Sequence, residues 1–358
     1  MNLELVEKIA NAVLYEGYIL YPYRPSSVKN RQRWTFGGLY PRQYVVSQDG
    51  IAGTSDLWTI QTEFLARGNE HATIDVKLRC LHLVERQVRE LDNPSSALPA
   101  DLEVASRPVT WMQVGERLFQ TWQEAVEREA ICAALHVGDL LTEAHTLSFS
   151  FPPRRDIEPL KTPNGELVAV IVREQQRIDG SLSVRAQSIK DGLFKITVRI
   201  TNLTPWEASH TEASRDEALM RALVSTHAIL GIHGGEFISL LEPPEEYEEA
   251  AEECHNAGMW PVLVGEEGER DAVLASPIIL YDYPQIAPES QGDLFDGTEI
   301  DEILTLRIMT MTDEEKREMS AVDERARALL ARTEALTRDQ LMSLHGTVRS
   351  LRALPEER

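Results

Sequence analysis

Glu166-Leu-Val-Ala-Val-Ile-Val-Arg-Glu174, Gly180-Ser-Leu-Ser-Val-Arg-Ala-Gln-Ser188 and Leu193-Phe-Lys-Ile-Thr-Val-Arg-Ile-Thr-Asn-Leu203 are three runs joined by Ile178-Asp179-Gly180 and Lys190-Asp191-Gly192. Apolar and polar residues alternate in the last two, the period of a strand with one buried face. Asp-Gly between such runs signals a hairpin, because both residues tolerate positive φ. These 38 or so residues therefore read as antiparallel sheet.

The pattern extends outward from there. Ile74, Val76, Leu78 and Cys80 alternate with Asp75, Lys77 and Arg79, so 72–84 reads as a strand, as do 56–65 and His145–Phe151. The run Phe194–Trp206 looks like an edge of an immunoglobulin-like or jelly-roll sandwich. Leu3, Val6, Ile9, Ala10, Val13 and Leu14 sit at helical spacing, and 116–134 is also expected to be helical. The stretch 93–108 reads as an exposed connection. Ser214 with Glu217 suggests a capped helix to about Val224, and Pro243-Pro244 opens an acidic helix to His255. Short strands are expected at 228–241, 261–264 and 272–281. Thr312 with Glu315 and Thr337 with Gln340 fit capping boxes for two final helices. The expected class is α+β: a mainly antiparallel, sandwich-like β-rich body with peripheral helices and a C-terminal helical tail. Its expected parts are a β-rich 1–206, a mixed acidic 207–311 packing on that body, and the helices of 312–358.

Composition narrows the function. The chain has 358 residues, 36 Lys+Arg and 58 Asp+Glu, a formal charge of −22. Such a surface repels phosphate backbones and anionic membranes, which argues against nucleic acid and lipid as partners. The first residues interleave charge with apolar side chains, unlike a signal peptide, and no apolar run reaches the roughly 18 residues of a membrane span. Cys80, Cys132 and Cys254 are scattered and contain no C-x-x-C pair, the usage of reduced thiols in the cytoplasm. Walker, His-Glu-x-x-His, Gly-x-Ser-x-Gly and Gly-x-Gly-x-x-Gly signatures are missing.

Two charge blocks stand out. Gly17–Gln48 holds five cations and no acid, interleaved with aromatics and prolines, while Leu241–Asp271 holds eleven acids against one base. Arg, Trp and Tyr dominate interface hot spots. Arg24, Lys29, Arg31, Arg33, Trp34 and Tyr40 are therefore candidates for binding a protein partner, with the acidic 241–302 region as a second contact surface. The bland reading of the first block is an aromatic core with arginine stems over the rings. A rival reading is a metal-dependent enzyme or metal-delivery protein holding a divalent transition metal on His227, His233, Cys254 and His255. A third is a carbohydrate-binding sandwich, which would carry exposed aromatics on one sheet face.

Two segments carry a resemblance. They are Tyr21–Pro41, containing Arg-Pro-Ser-Ser-Val-Lys-Asn-Arg and Trp-Thr-Phe-Gly-Gly, and Ser276-Pro-Ile-Ile-Leu-Tyr-Asp-Tyr-Pro-Gln-Ile-Ala-Pro-Glu-Ser290 running on to Arg307. Together they are similar to an uncharacterised bacterial family associated with gene clusters of actinobacterial-type nickel–iron hydrogenases. The resemblance implies a cytoplasmic accessory or assembly role, with a hydrogenase subunit or maturation factor as partner. It assigns no catalytic residue.

Overall fold

The computed structural model describes residues 3–15, 34, 36–48, 56–206, 215–285, 308–322 and 324–336. Helices α1 (Leu3–Tyr15) and α2 (Arg42–Gln48) precede a long strand, β1 (Thr59–Ser95). Next come α3 (Leu102–Ala105), β2 (Ser106–Val109), β3 (Trp111–Val114), β4 (Arg117–Gln120), β5 (Trp122–His136) and α4 (Val137–Thr142). Four further strands follow: β6 (His145–Phe151), β7 (Arg154–Lys161), β8 (Leu167–Gln175) and β9 (Ile178–Lys190). Then come β10 (Leu193–Asn202), α5 (Arg215–Leu219), β11 (Val224–Ile238), a 3₁₀ turn (Glu245–Tyr247) and α6 (Glu248–Glu252). Strands β12 (Trp260–Leu263) and β13 (Ala272–Ser276), then helices α7 (Asp313–Val322) and α8 (Glu324–Glu334), complete the described elements.

Two compact units result, one containing the described residues up to Pro284 and the other containing 308–336. The first is an α+β body built on one eleven-stranded antiparallel sheet, with β3–β4 as a separate hairpin. Its organising element is β1. One edge of β1 pairs in turn with β10, β5 and β2, and the other with β11 and then β8. The strands of 207–284 thus hydrogen-bond directly to those of 1–206.

The sheet curls. Along the order β12-β13-β11-β1-β10-β9-β6, six steps of about 4.8 Å would separate the outermost strands by roughly 29 Å if flat. Yet Leu263 of β12 and Phe149 of β6 join one core cluster with Phe64, Ile74, Leu78, Leu182, Ile196 and Leu230. The even-numbered face of β1 is the inside of this sandwich-like fold. On the outside, Val6, Ile9, Ala10 and Val13 of α1 pack on Ile229, Val262, Ala272 and Leu274.

Three expectations need correction. The 116–134 segment is not a helix: β5 lies in register against β1 from Arg86–Trp122 to Thr73–His136. Ala130 and Cys132 point into the core while Glu127 and Glu129 meet Arg79 on the other face, so tertiary pairing overrides the helix propensity of Glu and Ala. β10 is an interior strand between β1 and β9, not an edge. Only one of the two Asp-Gly pairs turns a hairpin. Asp191-Gly192 does so, with Lys190 opposite Leu193 and Gly192 at φ +72°. Asp179-Gly180 lies inside β9, where a glycine is needed because the Phe149 ring crosses it; an added Cβ would fall 2.3 Å from Phe149 Cζ.

In the second unit, the Thr312 capping box forms as expected. The Thr312 N–H donates to Glu315 Oε2 at 2.6 Å and the Glu315 N–H to Thr312 Oγ1 at 3.3 Å. Lys316 and Glu334 tie α7 to α8 at 2.9 Å. Thr337 and Gln340 lie outside the described residues. Among the described residues no helix is long and apolar enough to cross a membrane.

Gly180→Ala is expected to destabilise the fold by about 1–3 kcal/mol through overpacking against Phe149. A double-mutant cycle by urea unfolding with Phe149→Ala should show the clash relieved, as a favourable coupling of about 1 kcal/mol. Simple additivity would refute this account of the glycine.

Candidate functional site

Of the residues expected to contact a partner, Arg24, Lys29, Arg31 and Arg33 lie outside the described residues. Trp34 and Tyr40 are not a docking surface; they are 3% and 2% exposed. They pack with Leu14, Tyr44, Leu83, Trp206 and Leu219 on the outer face of the sheet. Trp34 Nε1 donates to Gln123 Oε1 at 2.9 Å, and the Tyr44 and Trp206 rings meet edge-on at 5.6 Å. Arg215 lies 5.1 Å from the Tyr40 ring and Arg221 5.3 Å from that of Trp206. Large rings gain more from burial than from display, and guanidinium planes cover their faces. Trp34 and Tyr40 are therefore core aromatics, and the arginines over the Tyr40 and Trp206 rings come from 215 and 221 rather than from the Gly17–Gln48 block.

The four expected metal ligands do not converge. His227 is fully buried on β11 opposite Arg79, whereas His233, six residues on and opposite Thr73, is exposed and meets Asp75 Oδ2 at 3.0 Å. Six strand residues span about 20 Å, and Gly231 between them stays in register opposite Asp75 rather than folding the strand back. Cys254 follows α6, half-buried, its thiol pushed up to about 12 by burial. The His255 ring is exposed, and its backbone N–H donates to Glu63 Oε2 at 2.9 Å. Among the described residues no three His, Cys, Asp or Glu side chains are grouped to hold a metal ion. Exposed aromatics are likewise dispersed: Trp111 is on β3, Trp260 on β12 and Tyr281 beyond β13.

Two features survive as candidate sites; Glu63 on β1 lines one and holds the chain that follows the other. The first is an acidic shoulder. Leu241–Glu253 packs Tyr247, Ala250 and Ala251 on Leu65, Leu193 and Ile238. That leaves Glu242, Glu245, Glu246, Glu248, Glu249, Glu252 and Glu253 exposed, and among the described residues none has an ion-pair partner. The chain after α6 is fixed to β1. Glu63 holds the His255 N–H, Asn256 Oδ1 accepts from Thr62 Oγ1 and the Glu63 N–H, and Gln61 exchanges backbone bonds with Ala257 at 2.9 Å. The shoulder is a display of carboxylates on a segment whose exit is anchored to β1.

The second is a cleft of about 720 Å³ on the outer face of β1, β10 and β9. Gln61, Thr197, Ser183, Arg185, Gln187 and Arg199 line it, with Leu141 and Ala144 at one wall. Sequence patterning could have placed these odd-numbered residues on the solvent face, but not Leu141 and Ala144 of the chain around the end of α4, which wall the cleft.

Beneath α1, a buried polar cluster secures the helix. Arg79, 5% exposed, donates to Asn11 Oδ1 at 2.8 Å and to Glu127 Oε2 at 3.0 Å. Tyr15 also donates to Glu127, and Ser225 Oγ to the Val13 carbonyl at 3.0 Å. His227 Nδ1–H donates to the Ser225 carbonyl, and burial with Arg79 nearby lowers its pKa to about 4. His82, on the inner face, donates from Nε2 to the Gln176 carbonyl; burial and then Arg128 lower its pKa to about 4 as well.

Both histidines are neutral when folded and titrate near 6.5 when unfolded, so the stability they contribute is present above pH 6.5 and lost as pH falls toward 4. Between pH 7.5 and 5 the expected loss is about 2 kcal/mol per histidine. In urea unfolding, His227→Gln should flatten the acid side by about that amount; an unchanged slope would exclude His227 as a contributor.

No protein-family model matches the chain, and no curated protein is similar to it.

Proposed function

We propose that this chain is a cytoplasmic accessory protein that acts by protein–protein contact, with the acidic shoulder Leu241–Glu253 docking a basic surface of its partner. The observation that carries this reading is the set of seven exposed carboxylates without ion-pair partners among the described residues. Glu245 with Glu249, Glu248 with Glu252 and Glu249 with Glu253 are like charges at i,i+4, a spacing that costs each pair about 0.2–0.5 kcal/mol in a helix. A partner's lysines and arginines would relieve that repulsion, and fixed carboxylates steer encounter as well as hold it.

The partner we propose is a nickel–iron hydrogenase subunit or maturation factor, on the strength of the sequence resemblance in Tyr21–Pro41 and Ser276–Arg307. Arg24, Lys29, Arg31 and Arg33 form the second contact in this proposal, opposite in charge to the shoulder. With a net charge of −22, nucleic acid and membrane surfaces remain disfavoured partners.

The test is a binding titration of the purified chain against a hydrogenase large subunit and its maturation factors. Glu245→Lys/Glu249→Lys/Glu252→Lys should weaken binding at least tenfold, and raising salt from 50 to 300 mM should weaken the parent in the same direction. Arg31→Glu/Arg33→Glu tests the second contact. Full affinity in the shoulder variant, with an unchanged circular dichroism spectrum, would overturn the shoulder as the docking surface.

A further inference from the structure

We propose that the cleft over β9, β10 and β1 binds a small organic polyanion, with Arg185 and Arg199 as oxyanion ligands and Ser183, Thr197, Gln187 and Gln61 as a hydrogen-bonding floor. The inference is independent of the docking role and begins from strand register. Arg185 faces Thr197 and Arg199 faces Ser183 across the β9–β10 ladder. The two arginines therefore stand diagonally on one face, with about 7–8 Å between their backbone positions. Guanidinium groups set that far apart can grip two oxyanions of one molecule, each in the bidentate fashion that suits carboxylate and phosphate.

The charges are available. Arg185 is exposed and has no ion pair among the described residues. Arg199 donates from Nε and Nη2 to Gln61 Oε1 at 3.2 and 2.6 Å, so a neutral amide orients it and leaves its charge uncancelled. By contrast, Arg173 and Arg155 on this sheet meet carboxylates: Arg173 contacts Glu124 and Glu158, and Arg155 contacts Glu103 and Glu174.

The one carboxylate lining the cleft is engaged. Glu63 is 8% exposed; its Oε1 accepts from Gln61 and Thr197, and its Oε2 accepts from the His255 N–H and lies 3.8 Å from Lys195 Nζ. The cleft is thus locally positive in a chain of −22.

Size and lining narrow the ligand. About 720 Å³ is the volume of a metabolite site rather than of a macromolecular interface. No aromatic lines the cleft, so nothing there would stack a nucleobase. Hydroxyl and amide side chains suit a hydroxylated or carboxylated scaffold.

Isothermal titration calorimetry at 50 mM salt with fructose 1,6-bisphosphate and with citrate tests the assignment. Binding of either with Kd below 1 mM, weakened at least tenfold by Arg185→Gln and by Arg199→Gln, supports it. The preferred probe then shows whether the oxyanions are phosphate esters or carboxylates. Absence of binding by both probes would overturn the proposal. So would binding that both variants retain, or capture of a poly-glutamate peptide where neither small anion binds. Arg185 is exposed and has no ion pair among the described residues, so its variant is expected to fold, and an unchanged melting temperature without ligand verifies this.

Discussion

A strand of 37 residues carries two rows of backbone donors and acceptors, and burying it requires partners along both edges. β1 finds them serially, with β10, β5 and β2 along one side and β11 and β8 along the other. Fully extended, it would reach roughly 120 Å, far more than a domain of this size can accommodate straight. Irregularities between Gly68 and Thr73 and between Arg79 and Leu81 break its ladder with β11, and bulges of this kind bend and twist a strand. The bent spine brings strands distant in sequence around one core.

Glu63 shows how closely fold and candidate sites are joined. A buried carboxylate is costly unless its oxygens are satisfied, and here one oxygen serves the cleft floor while the other anchors the segment behind α6. Losing that side chain would free the base of the acidic shoulder and leave Lys195 and the His255 N–H without their acceptor. The shoulder's like charges favour separation, so their presentation depends on this anchor and on Tyr247 packed against Leu65 and Ile238.

Much of the fold was legible in the sequence, because alternation in Ile74–Cys80 and Leu193–Leu203 records which face is buried. The amphipathic α1, the Asp191-Gly192 hairpin and the Thr312 box followed from local chemistry in the same way. Local chemistry failed where distant residues decide. The Glu- and Ala-rich β5 is a strand only because β1 offers it an edge, and Gly180 serves Phe149 rather than a turn. At the candidate sites the acidic block was visible as composition. Trp34 and Tyr40 were misread because a mixture of arginine and aromatic residues looks the same whether the rings face inward or outward. His227 and His233 share strand parity, yet one lies under α1 and the other beyond it.

The remaining step concerns how an acidic chain could hold an anion. At physiological ionic strength fields decay over about 8 Å, so distant carboxylates contribute little inside a cleft. What a ligand meets there is set by groups in contact: two guanidiniums, neutral amides and hydroxyls, and one carboxylate already engaged by three hydrogen-bond donors and the nearby Lys195 ammonium. The shoulder obeys the same rule in the opposite sense. Its seven carboxylates fall within the twelve residues Glu242–Glu253, so the fields of neighbouring charges add. A cationic protein surface would respond to that summed field, whereas a small anion in the cleft would respond to individual hydrogen bonds. The two features therefore answer to different tests: salt should weaken the first steeply, and removal of a single guanidinium should disable the second.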